Sequence, residues 1–165
     1  MTLHVATFAQ LTPATLYALL RLRVDVFVVE QHCPYPELDG RDDEPGTRHV
    51  WLADGDAPTA YLRMLAEPDG AARIGRVCVA GSARGSGLAR RLMRDALDLV
   101  GDRPCVLDAQ AHLVGFYAGL GFTPTGPEFM DDGIPHVPMR RPADPGGQAG
   151  AAQGREATSS ATERR

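Results

Sequence analysis

The sequence predicts an α+β fold in a single domain, with a central mixed, mostly antiparallel sheet flanked by about four helices. Three observations predict it. Residues 49–79 hold three short runs of strand character separated by tight turns. A glycine-rich turn at 81–87 then opens a segment with helical spacing, and a further strand follows. Finally, 165 residues with 44% hydrophobic content can build one real core but not two ordinary domains.

Each element has its own signal. Residues 3–8 alternate well enough for a strand. Thr12 followed by Pro13 reads as an N-cap with proline at the first helical position. Leu16, Leu20, Val24, Phe27 and Val28 continue at helical spacing, so the helix is expected to run to about Glu30. The β-branched run at 24–29 would also suit a strand. Residues 33–46, rich in proline and acid, read as a loop with at most one helical turn. Strands are expected at 49–53, 59–65 and 73–79, joined by turns at 54–56 and 68–70 into an antiparallel meander. Leu88, Leu92, Met93, Ala96, Leu99 and Val100 define one apolar helix face, with Arg90, Arg91, Arg94, Asp95 and Asp98 opposite. Gly101 and Asp102 end that helix. A strand at 104–107, a short helix at about 113–119 and strands at 121–125 and 136–140 complete the domain, residues 1–141. From 142 onward apolar periodicity vanishes, and 142–165 reads as a disordered tail.

Composition excludes several classes. A net charge of −4 argues against nucleic acid, whose binders present a basic face. No stretch approaches the roughly 20 apolar residues of a membrane helix, and the first ten residues lack a signal-peptide pattern. Three cysteines, Cys33, Cys78 and Cys105, with no close pair speak for a reduced, cytoplasmic setting rather than a disulfide framework. The histidines and cysteines show no metal-binding spacing, so no metal is expected.

Arg84-Gly85-Ser86-Gly87-Leu88-Ala89 stands where a strand ends and a helix begins. The first amides of a helix have no partner inside it, and the helix dipole adds partial positive charge there. Gly85 and Gly87 remove side chains that would keep an anion from those amides, which suits a diphosphate. Leu88-Ala89 stands where a P-loop needs lysine and then Ser/Thr. A dinucleotide fingerprint would put the bulky Arg90 at its close-packed third position, after a parallel rather than an antiparallel sheet.

The same residues resemble the Q/R-x-x-G-x-G/A signature of the GNAT acetyltransferase superfamily. Phe116-Tyr117-Ala118-Gly119-Leu120-Gly121-Phe122 resembles its second signature, some thirty residues on. Flanking segments are similar to the ElaA-like branch: Val26-Phe27-Val28-Val29-Glu30-Gln31, Cys33-Pro34-Tyr35, Thr47-Arg48-His49, Ala109-Gln110-Ala111-His112-Leu113 and Asp132-Gly133-Ile134-Pro135-His136. The resemblance spans roughly 13–141 and implies acetyl-CoA as donor and a primary amine as acceptor.

It also implies roles. Main-chain groups of Val77, Cys78 and Val79 would hold the pantetheine arm as an added strand. Arg84, Gly85, Ser86, Gly87, Leu88 and Ala89 would hold the pyrophosphate. Gln110 would either contact the carrier or cap the short helix. Tyr117 would serve as general acid, though full proton transfer from a tyrosine near 10 to a thiolate near 8.5 runs about 2 kcal/mol uphill. Its hydroxyl would therefore stabilise the departing sulfur largely by hydrogen bonding. Glu30 and His136 stand in the family-like motifs as candidate bases, with His49 and Asp108 as further candidates. The loop acids Glu37, Asp39, Asp42, Asp43 and Glu44 suit either a cationic substrate or plain solvation. A catalytically weak acetyl-CoA sensor and an NAD oxidoreductase stand as alternatives, and a homodimer is left open.

Overall fold

A computed structural model describes residues 1–143; the expected tail lies, from 144 on, outside the described residues. The chain runs β1 (Thr2–Ala6), α1 (Pro13–Val24), β2 (Arg48–Asp54), β3 (Ala57–Ala66), β4 (Ala72–Val79), α2 (Leu88–Val100), β5 (Cys105–Gln110), α3 (Val114–Ala118), β6 (Thr123–Pro124), β7 (Phe129–Asp131) and β8 (Ile134–Arg141). The strands form one sheet in the order β1-β2-β3-β4-β5-β8-β6, with β7 paired to β8. All pairings are antiparallel except β4 with β5. The mixed, mostly antiparallel sheet expected from the sequence is what forms.

The helices differ in detail from the expected four. Among the described residues three are α-helices, and α1 continues without a break into a π-helical stretch, Asp25–Glu30. The β-branched run that also suited a strand is thus taken up by widening the helix. The cap is as expected: Thr12 Oγ1 accepts from the Thr15 amide at 3.1 Å, with Pro13 opening the helix. β7 was not anticipated. It pairs with β8 across a hairpin whose Asp132 and Gly133 both have positive φ, 47° and 80°, the combination that a tight primed turn demands.

Two features of β4 prepare the site. Its pairing with β5 covers only Ala72↔Cys105 and Arg73↔Val106, after which the strands diverge; β5 meanwhile stays paired with β8 along its whole length. Against β3, Arg63 faces Gly75 and Tyr61 faces Cys78. Between those points β3 advances two residues and β4 three, a bulge whose strain sits at Arg76, φ 55°.

The sheet has two unlike faces. Under α2 lies the larger apolar core, with Leu62, Ile74, Leu92, Met93, Ala96, Leu107 and Phe122. The other face, under α1, buries Leu19, Leu22, Val26, Trp51, Tyr61 and Cys78. Here the expected α1 stripe proves to be out of phase. The buried positions are Leu19, Leu22, Arg23 and Val26, while Val24 is 36% exposed. Arg23 is the cause: it points inward at 0% exposure, so a count of apolar residues alone chose the wrong face.

Candidate active site

Where β4 and β5 part, a cleft of about 940 Å³ opens between them. Val77, Cys78 and Val79 line one wall; Leu107, Asp108 and Gln110 line the other. A strand that loses its neighbour presents unpaired main-chain donors and acceptors, a template for an extended, amide-bearing ligand. The carbonyl of Val79 is the exception, since Arg84 Nε donates to it at 3.1 Å.

The mouth of α2 lies at the end of β4 and is bare. Gly87 is its N-cap at φ 78°, and no side chain caps the helix. Gly85 shares that φ of 78°, and a Cβ on either glycine would meet nothing within 4 Å. Ala89 and Arg84 line the cleft there; Gly85, Ser86, Gly87 and Leu88 stand outside its lining, the first three exposed and Leu88 packed against the core. Arg84 is already engaged: besides Val79, its guanidinium donates to Glu30 Oε2 at 2.6 Å. Both side chains of that pair are nearly half exposed, so the bond is weak and open to competition from an anion.

Tyr117 lies on α3 within the same cleft, 7% exposed, its ring edge-on to Phe116 and Phe122 at 5.0 and 6.2 Å. Burial alone pushes its hydroxyl up to about 12. Gln110 Nε2 donates to Gln31 Oε1 at 3.3 Å, which ties the fork to the end of the π stretch. A second tie, from Cys33 Sγ to the Asp132 carbonyl at 3.2 Å, links the following loop to the β7–β8 hairpin. Cys33 is buried. The thiols of Cys78 and Cys105 are pushed up by burial to about 12 and about 11, which leaves them protonated and inert.

The candidate bases separate clearly. Glu30 and His136 both line the cleft. His136 Nδ1 sits 2.9 Å from the Ile134 carbonyl, which can only accept, so Nδ1 carries the proton and a neutral ring keeps Nε2 free as an acceptor. Asp108 lines the cleft but is bound by Arg73 at 2.9 Å. His49 lies away from the cleft, 1% exposed. Its Nε2 donates to the Asp42 carbonyl at 3.0 Å and its Nδ1 accepts from the Tyr61 hydroxyl at 2.8 Å. Both nitrogens are occupied, so His49 is structural.

The acid-rich loop also departs from both sequence readings. Glu37 is 4% exposed and, with Asp42, holds the buried Arg23 at 2.5 and 2.6 Å. Asp39 and Asp42 hold Arg63 at 2.6 and 3.0 Å, and Arg76 lies 2.7 Å from Glu37. These arginines hold the Asp39 and Asp42 carboxyls below the usual range. Three of the five loop acids are thus engaged by arginines, Asp39 at the cleft itself, and Glu44 pairs with Arg41. Arg63, Arg76 and Tyr35 line the cleft, and the sequence assigned none of them a role there. The partners of Arg63 and Arg76 lie 24 and 39 positions away, so no local spacing announced them, whereas Tyr35 donates to Glu37 two residues on. Among the described residues no group of His, Cys, Asp and Glu could hold a metal ion, and no helix is long and apolar enough to cross a membrane.

This geometry has close parallels. The family model for the acetyltransferase (GNAT) domain matches residues 18–142. A UPF0039 protein of Mycobacterium bovis is 57% identical over 131 residues, covering 77% of this chain and 84% of that one. Protein ElaA of Escherichia coli is 42% identical over 139 residues, 81% of this chain and 91% of its own. Its crystal structure matches with a TM-score of 0.80 at 39% identity, over 85% of this chain and 98% of that one. An acyl-CoA N-acyltransferase from Pseudomonas aeruginosa matches with a TM-score of 0.81 at 43% identity and the same coverage. The fold is thus shared along nearly the whole described chain, and the chain belongs to the GNAT acetyltransferase family, a family of N-acyltransferases.

Proposed function

We propose that the chain moves an acetyl group from acetyl-CoA to a primary amine of a small molecule or peptide by direct attack. One observation carries this reading: the open edge of β4 and the buried Tyr117 line one cleft, and the uncapped mouth of α2 borders it through Arg84 and Ala89. The pantetheine amides would pair with Val77 and Val79 as a short added strand. The pyrophosphate would take the free amides of α2, with Arg84 drawn from Glu30 towards it. A cytoplasmic location accords with this donor.

The amine nitrogen attacks the thioester carbon, the carbon–sulfur bond breaks, and the sulfur leaves as a thiolate. A Tyr117 hydroxyl at about 12 against a thiol near 8.5 differs by roughly 3.5 units, so full proton transfer is about 5 kcal/mol uphill. Burial therefore sharpens the expectation: the hydroxyl stabilises the sulfur by donating a hydrogen bond. The proton lost by the amine goes to His136 Nε2, directly or through water. Glu30, freed as Arg84 turns from it to the pyrophosphate, acts beside it as an orienting carboxylate.

Release of free thiol from acetyl-CoA on a panel of amines tests the reading. Turnover with Tyr117→Phe lower by about 10²-fold and unchanged CoA affinity is the expected result; equal turnover removes Tyr117 from the chemistry. Ala89→Glu sets a carboxylate in the first turn of α2, which suits the helix itself but repels a phosphate. Its expected result is a folded protein that no longer binds CoA in calorimetry. Binding without turnover on any amine would support a sensor, and preferential binding of NADH an oxidoreductase.

A further inference from the structure

Gly75 occupies the interior of β4, where a glycine costs conformational entropy and packs nothing. Three ordinary reasons for a glycine fail here. The backbone does not require one, since the positive φ of this bulge belongs to Arg76 at 55° and Gly75 has none. Crowding does not require one either. A Cβ on Gly75 would meet no heavy atom within 4 Å, whereas one on Gly46 would meet Ala66 Cβ at 2.8 Å. Nor is the site an indifferent patch of surface. Gly115 has similar room but is exposed and away from the cleft, while Gly75 is half-buried and lines it.

The vacated space has a definite position. Ile74 belongs to the core under α2, so its neighbour Gly75 faces the opposite side of the sheet, with its register partner Arg63. Val77, where the proposed arm would end, is two residues further on. The rim beside Gly75 is polar: Arg63, Arg76, Asp39 and Asp108 all line the cleft. A long acyl chain laid there would face charges that it cannot bond, whereas a polar amine would meet the carboxylates of Asp39 and Asp108, which stay 28% and 40% exposed beside their arginines.

We infer that Gly75 is a specificity-determining residue: its missing side chain keeps open the place from which a polar amine acceptor reaches the thioester. This rests on the proposed function. The amine passes over Gly75 on the α1 side of the sheet, while the carrier occupies the α2 side.

The test compares Gly75→Ala and Gly75→Leu with wild type, using diamines, amino-acid amides and lysine peptides as acceptors and acetyl-CoA and butyryl-CoA as donors. Both variants should melt no lower than wild type and bind CoA within about twofold, while the KM for the best amine rises stepwise, roughly tenfold or more for leucine. A variant that melts clearly lower shows that the fold itself needs the space, and overturns the inference. So does an unchanged amine KM, with the proposed function left standing because wild type still turns over. Loss confined to butyryl-CoA assigns the space to the acyl chain and overturns the amine assignment. A wild type that binds CoA but acylates no amine removes the proposed function and this subsite together.

Discussion

The two faces of the sheet are stabilised by different chemistry. Under α2 the contacts are apolar throughout, from Leu62 and Ile74 to Leu92 and Met93. Under α1 a smaller apolar cluster gives way to buried charge: Arg23, Glu37 and Arg63 are each 4% exposed or less. Dispersion and hydrophobic burial add up over many partners and tolerate small changes. A buried ion network holds only while every member is present. Even intact it is imperfect, because the Nε atom of Arg63 is buried without a hydrogen bond. The face that borders the proposed acceptor site is therefore the more brittle one.

That contrast can be broken at three points. Arg23→Ala leaves Glu37 and Asp42 buried without their cation, and a loss of about 3–5 kcal/mol in denaturant melts is expected. Leu92→Ala on the other face opens a cavity beside Met93 and Ala96 and should cost about 2–4 kcal/mol. If Arg23→Ala proves the milder change, the buried network is not what holds α1 down. The smallest effect depends on pH. Burial lowers the pKa of His49, so below about pH 6.5 the unfolded chain takes up a proton that the folded chain refuses. Stability is then fully present above that pH and falls as the pH drops, by at most about 1.4 kcal/mol per unit. His49→Gln should flatten this slope between pH 6.5 and 5, and an unaltered slope would place its origin elsewhere. Asp39 and Asp42, whose pKa values are lowered, add a later loss that sets in only below about pH 4.

The same contrast explains what the sequence made legible. The meander, α2 and its bare mouth follow from apolar spacing and glycine placement, which are local signals, and four of the six residues expected on the α2 face are buried there. α1 was legible in extent and cap but not in phase, because its inward face includes an arginine. The role of the acidic loop was hidden for a related reason: Glu37 finds Arg23 fourteen positions away and Arg76 thirty-nine away. The cleft-lining Arg63 escaped in the same manner, whereas the hairpin at Asp132 carried a local sign, its Asp-Gly pair, that was not read as one. Spacing in one segment cannot report a bond to another. Tyr117, Glu30 and His136 came from resemblance to a family, and the fold brings all three to one cleft.

The two-residue seam between β4 and β5 carries a mechanical consequence. It leaves β5, β8 and their short companions joined to the rest of the sheet by two rungs of the ladder and by the core under α2. A guest strand bonded along β4 would act as a splint across the gap. Amides in β5 and β8 should therefore exchange with deuterium sooner than those in β2 and β3 when the gap is empty, and slow markedly once it is filled.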